Sequence, residues 1–111
     1  MDDGYSQEEY VRRVLDAYHR VTPGTTGAVR RPDRMTASEL YRRGVSATAV
    51  ENAFVLAAAR RLSRPPGAMP LGTIRSLAYF LPVIDEILET QISPDYFQFL
   101  RHKLRQASAI R

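Results

Sequence analysis

Apolar positions recur along the chain at three- and four-residue spacing, the pattern of helices that bury one face. The first stripe is Tyr10, Val14, Ala17, Tyr18 and Val21, preceded by Ser6 and Glu9 at capping-box spacing. Arg12, Arg13, Asp16, His19 and Arg20 fall on its wetter side, and Pro23-Gly24 ends it. A long loop over 22–31 is predicted next. A short helix over 33–43 follows, with Met35, Leu40 and Tyr41 as its apolar side. Asp33 is one candidate for its cap, and Thr36 with Glu39 is the other. Gly44 stands where a helix-ending glycine is favoured. Ser46 caps a third helix over 47–63. Its centre, Ala53-Phe54-Val55-Leu56-Ala57-Ala58-Ala59, is apolar nearly all round, so this helix is expected to be buried on several sides. Pro65-Pro66-Gly67, Pro70 and Gly72 make a second loop. Leu77, Phe80, Leu81, Ile84, Ile87 and Leu88 form the stripe of a fourth helix over 76–90. Pro82 is expected to kink that helix or to split off its first turn. Ser93-Pro94-Asp95 opens a fifth helix, in which Tyr96, Leu100 and Leu104 are expected to face inward, with Phe97 and Phe99 nearer the edges.

No segment alternates with period two over β-branched residues. The expected fold is all-α: a compact single-domain bundle of about five helices over residues 1–111, the third and fourth central. Residues 1–5 read as a flexible N-terminus and 96–111 as a basic C-terminal helix. The chain's 111 residues are enough for one hydrophobic core.

Composition then removes several function classes. The absence of cysteine excludes disulfide frameworks, thiol nucleophiles and Cys-based zinc sites. His19 and His102 are the two histidines, both on polar helix positions, and no nucleophile-elbow pattern accompanies them. Lys103 is the sole lysine and no Gly-rich loop precedes it, so a phosphate-cradling P-loop is excluded. Asp85 and Glu89 are four apart and Glu86 is three from Glu89, but a divalent-cation site needs more oxygen ligands than this segment supplies. Its acidic face reads as solvated, or as a dock for a basic segment. The triplet Leu100-Arg101-His102 matches one in tyrosine recombinases, but no tyrosine follows it. No catalytic residue, metal ligand or cofactor is assigned, and the chain is read as a non-enzyme. No apolar run reaches the roughly 20 residues of a membrane span, and Asp2-Asp3 is unlike a secretory signal. The expectation is a soluble, cytoplasmic domain without a membrane partner.

Charge carries more information. The net charge is +4, and it is unevenly spread. Residues 20–64 carry a net of +6 and residues 96–111 a net of +4, while 1–19 and 65–95 carry −3 each. Basic blocks attract polyanions, and Arg and Lys that neutralise phosphates supply most of the affinity of proteins for DNA. Two candidate nucleic-acid-binding patches follow: Arg30, Arg31, Arg34, Arg42 and Arg43 in the loop and short helix, and Arg101, Lys103 and Arg105 with Arg111 in the last helix. Arg60, Arg61 and Arg64 are expected to extend the first patch. The short helix, the Gly44-Val45 turn and the next helix have helix-turn-helix proportions. The second of these helices is too apolar to read bases, so phosphate contact is expected rather than base readout. Aromatic side chains near the last basic block are a further candidate, for stacking on single-stranded bases.

Arg43-Gly44-Val45-Ser46, the helix through Val50-Glu51-Asn52-Ala53 and the stretch Ser76-Leu77-Ala78-Tyr79-Phe80-Leu81-Pro82-Val83-Ile84 together resemble the DnaD-like helical domain. That domain occurs in bacterial primosome proteins and in replication initiators of phages and plasmids. The resemblance covers residues 9–90, and the family's tyrosine-x-x-x-isoleucine segment is matched loosely by Tyr79-Phe80-Leu81-Pro82-Val83. It implies a non-catalytic DNA-binding accessory domain of a replication-initiation or mobile-element system. In that family the part after the helical domain often contributes to DNA binding; here it holds Arg101, Lys103 and Arg105. The alternative is a protein-interaction module that recruits a replication or transposition partner through the 85–89 face or the last helix. A spare apolar stripe on so small a bundle would also suit a homo-oligomer.

Overall fold

The computed structural model describes residues 6–22, 29–69, 71–90 and 92–110, with side chains to residue 107. The expected N-terminal tail, the Pro23-Gly24 stop with most of the 22–31 loop, Pro70 and Arg111 lie outside the described residues.

The described chain forms five α-helices and one 3-10 turn, with no strand among the described residues. Helix α1 spans Gln7–Val21. Ser6 Oγ accepts from the Glu9 backbone N–H at 3.2 Å, and the Glu9 carboxylate accepts from the Ser6 N–H at 3.3 Å, closing the capping box. Helix α2 spans Arg31–Arg42 and starts two residues earlier than the pattern suggests. Arg30 is its cap residue and makes no capping hydrogen bond through its side chain. Neither candidate cap is used: Asp33 turns inward, and the Thr36 hydroxyl donates to the Pro32 carbonyl at 3.0 Å. Pro32 fits the first turn because that turn's N–H groups have no intrahelical acceptor.

Gly44, at φ +77°, ends α2. The Val45 N–H donates to the Leu40 carbonyl at 3.1 Å and the Gly44 N–H to that of Tyr41 at 3.0 Å, the paired bonds of a Schellman motif. Helix α3, Ala47–Leu62, is capped by Ser46 Oγ, which accepts from the Ala49 N–H at 3.0 Å. The 3-10 turn Leu77–Phe80 leads into α4, Leu81–Glu89. Pro82 splits off the first turn of the fourth helical stretch, and in doing so it occupies the opening turn of α4, where it breaks no hydrogen bond. Helix α5, Pro94–Ile110, starts with Ser93 Oγ accepting from the Tyr96 N–H at 3.2 Å.

Helix α3 is the centre. It packs against α1, α4, α5 and the 3-10 turn, while α2 packs on α1 and on that turn. Tyr10, Tyr18, Phe54, Phe80, Leu77 and Ile84 are fully buried in the main core. The Phe54 and Phe80 rings meet edge-on at 4.8 Å, and Tyr18 closes on Phe80 at 6.1 Å. The fourth stretch enters this core through Leu77, Phe80 and Ile84. A smaller cluster, Leu56, Ala59, Phe97 and Leu100, joins α3 to α5.

Three expectations about faces are corrected, the first being Leu88, which is 49% exposed near the end of α4 and not part of the buried stripe. Phe97, not Tyr96, is the inward aromatic of α5: Phe97 is buried and Tyr96 is 45% exposed. Spacings of three and four are both helical, and contact with Leu56 and Ala59 selects the 97/100 pair. Met35 is 60% exposed because α2 buries the line Asp33, Ala37 and Leu40, which runs on the opposite side of the helix.

Candidate nucleic-acid interface

Buried Asp33 organises the first basic patch. Its Oδ1 accepts the Leu77 backbone N–H at 2.9 Å, which fixes the start of the 3-10 turn against the first turn of α2. Three residues before Asp33, the Arg30 guanidinium donates to the Arg75 carbonyl at 3.0 Å. These two bonds carry Arg75 to the N-terminal end of α2. The Arg75 backbone thus lies beside Arg30 at the end of α2 that also carries Arg31 and Arg34, and all four residues are exposed. Arg31, Arg34 and Arg75 make no side-chain ion pair or hydrogen bond among the described residues, and Arg30 is bound through a neutral carbonyl, so none of the four is held by an acid in direct contact.

The same loop is held at its other end by Arg61. Its guanidinium donates to the Gly72 carbonyl at 2.7 Å and to the Tyr79 hydroxyl at 3.0 Å, and lies 5.7 Å from the Tyr79 ring centroid. Of the three residues expected to extend the first patch, Arg61 is held on the 72–79 segment, Arg60 pairs with Glu86, and Arg64 is half-buried.

Along the outer face of α2, Arg31, Arg34, Met35, Ser38, Glu39 and Arg42 line a shallow depression. Arg42 pairs with Glu39 at 3.3 Å, both well exposed, which is a weak restraint. Arg43 points elsewhere and reaches Asp85 on α4 at 3.1 Å. Arg60 grips the Glu86 carboxylate with both terminal nitrogens. The acidic face of α4 thus docks basic side chains of its own chain. Arg60 has its pKa raised, chiefly by the hydrogen bond to Glu86 and further by that residue's charge, against a smaller lowering from burial. Glu86 is correspondingly held below the usual carboxylate range by the Arg60 hydrogen bond. Among the described residues no group of three potential metal ligands forms.

The second patch is split. Arg101 turns toward α3 and donates to Asn52 Oδ1 at 2.6 Å. Lys103 lies over the Phe99 ring, 5.4 Å from its centroid, and Arg105 is exposed without a partner among the described residues.

Comparisons with protein-family models, curated proteins and solved structures find no match to the chain. No helix among the described residues is long and apolar enough to cross a membrane.

The structure thus sorts the sequence-predicted residues. It gathers Arg30, Arg31 and Arg34 with Arg42 a few turns along the same helix. It sends Arg43 and Arg101 into tertiary contacts and leaves Lys103 and Arg105 on α5. Sequence reasoning missed Arg75, the one base in an acidic block. No charge run marks it, and only the folded loop brings it to α2.

Proposed function

We propose that the chain is a non-catalytic DNA-binding accessory domain of a replication-initiation or mobile-element system. The observation that carries this reading is the placing of Arg30, Arg31, Arg34 and Arg75 at one end of α2, four cations with no acid in direct contact. Guanidinium groups are suited to phosphate oxygens, which they meet with two parallel N–H bonds. Four cations around the single carboxylate of Asp33 leave an excess of positive charge that costs stability, and a polyanion removes that cost on binding. Lys103 and Arg105 on α5 form the second contact. Contact is read as with phosphates rather than base edges, because α3, the second helix of the helix-turn-helix proportions, packs on α1, α4 and α5 and has little polar surface to read bases. The replication setting rests on the likeness of 43–46, 50–53 and 76–84 to the DnaD-like domain.

A second reading is a module that recruits a replication or transposition protein. It is favoured by exposed Met69 and Leu71, which line a surface depression together with Arg61.

The test is fluorescence anisotropy of labelled DNA titrated with the protein across salt. Four neutralised phosphates give a log–log salt slope of about −3 to −4. The quadruple change of Arg30, Arg31, Arg34 and Arg75 to Ala is expected to flatten that slope with the fold intact. Unchanged affinity and slope in this variant would rule out the α2 patch, and salt-insensitive capture of a protein would favour the second reading.

A further inference from the structure

Helix α5 turns two aromatic rings to solvent. Tyr96 is 45% and Phe99 53% exposed, their centroids lie 6.4 Å apart, and their planes are tilted by only 31°. Lys103, one turn further, sits 5.4 Å from the Phe99 centroid, so the three side chains share one flank of the helix. The inward face of α5 is already satisfied by Phe97 and Leu100, so neither outer ring is needed to close the core. Lys103 and Arg105, both exposed, are the bases of α5 left on its surface, against the one acid Asp95 in its first turn, so the charge beyond Phe99 suits a polyanion.

From this we infer that the Tyr96–Phe99–Lys103 flank is a stacking platform for the unpaired bases of single-stranded DNA. The inference rests on the DNA-binding reading above and adds the strand form. An aromatic ring offers each base a π-face whatever its identity, and a base can reach it only when it is not stacked in a duplex. Lys103, over one face of Phe99, holds the ring in place and leaves the other face for a base, with its ammonium close enough to meet a backbone phosphate. The arrangement thus selects single strands without selecting a sequence.

The experiment uses the full chain, labelled oligothymidylate, and a duplex of equal length. The wild type is expected to bind the single strand more tightly than the duplex. Y96A/F99A is expected to weaken the single strand by about 5- to 150-fold per ring while leaving the duplex unchanged. F99Y is expected to retain single-strand affinity. F99W introduces the sole tryptophan of the chain, whose fluorescence is expected to be quenched as oligothymidylate is added. Equal losses on both DNA forms, or none on either, would overturn the platform and leave the phosphate reading standing. So would self-association that Y96A/F99A abolishes without changing strand affinity, which would assign the flank to a second copy of the chain. Oligouridylate bound more tightly than oligothymidylate would overturn the assignment to DNA. Absence of wild-type binding to both DNA forms at low salt would remove the phosphate reading, and the platform with it.

Discussion

The Asp33 carboxylate and the Leu77 backbone N–H meet at 2.9 Å in the interior, 44 residues apart in sequence. This one bond joins the first turn of α2 to the 3-10 turn and, with the neighbouring Arg30 to Arg75 contact, places Arg75 in the basic patch. Asp33→Ala leaves a buried N–H without an acceptor and is expected to cost about 1.5–3 kcal/mol. Asp33→Asn keeps an acceptor oxygen and is expected to cost less. Urea unfolding of both variants measures the difference. Because Arg75 depends on the same anchor, Asp33→Ala is also expected to weaken DNA binding under conditions where it remains folded.

The arginines divide into two classes with opposite expected behaviour. Arg31 and Arg34 face solvent without acidic partners, so R31A/R34A is expected to leave stability within about 0.5 kcal/mol. The same variant is expected to reduce the salt slope of DNA binding by about 1.5 to 2. Arg43 is paired with Asp85 at 3.1 Å. Arg43→Ala is expected to lower stability by less than about 1 kcal/mol, since both groups are about half exposed, and to change DNA affinity little. Thermal melts and salt titrations on the two variants separate the classes.

Most helix boundaries were readable because their signals are local. Ser6 with Glu9, Ser46, Gly44 and Ser93-Pro94 each act within a turn of the residues they cap. What the chain did not disclose depends on distant partners. Arg43 and Arg60 count toward a basic block in sequence, yet acids 42 and 26 residues away engage them. Arg75 sits in an acidic block, yet folding carries it to Arg30. The choice between Tyr96 and Phe97 as the inward ring turns on α3, not on anything within α5.

That choice has a measurable consequence. Phe97 is buried against Leu56, Ala59 and Leu100, and Phe97→Ala is expected to cost about 3 kcal/mol or more. Tyr96→Ala removes a ring that is 45% exposed and is expected to cost less than about 1 kcal/mol. Denaturant midpoints of the two variants test the assignment, and near-equal losses would return Tyr96 to the core.

Gly44 adopts φ +77°, and a methyl group built on it meets nothing within 4 Å. Replacing it therefore introduces backbone strain without a clash. Gly44→Ala is expected to cost about 1–2 kcal/mol, the penalty of holding an L-residue in the left-handed region. Gly44→Asn is expected to cost less, because asparagine tolerates that region better. Thermal unfolding of the two variants gives the order.

The Arg60–Glu86 pair makes stability depend on pH in one direction. Arg60 donates through both terminal nitrogens and holds the Glu86 carboxyl below its ordinary value of 4.5. The unfolded chain thus takes up a proton on Glu86 at a higher pH than the folded chain does. The pair's contribution is complete above pH about 4.5 and is lost as pH falls through the lowered folded value. Glu86→Gln removes this dependence, so the Tm of the wild type is expected to exceed that of the variant at neutral pH and to converge on it in acid. The difference is expected to be modest, because the pair is about half exposed. A Tm gap that stays constant down to the acid end would show that Glu86 stabilises the fold by packing on Arg60 rather than by its charge.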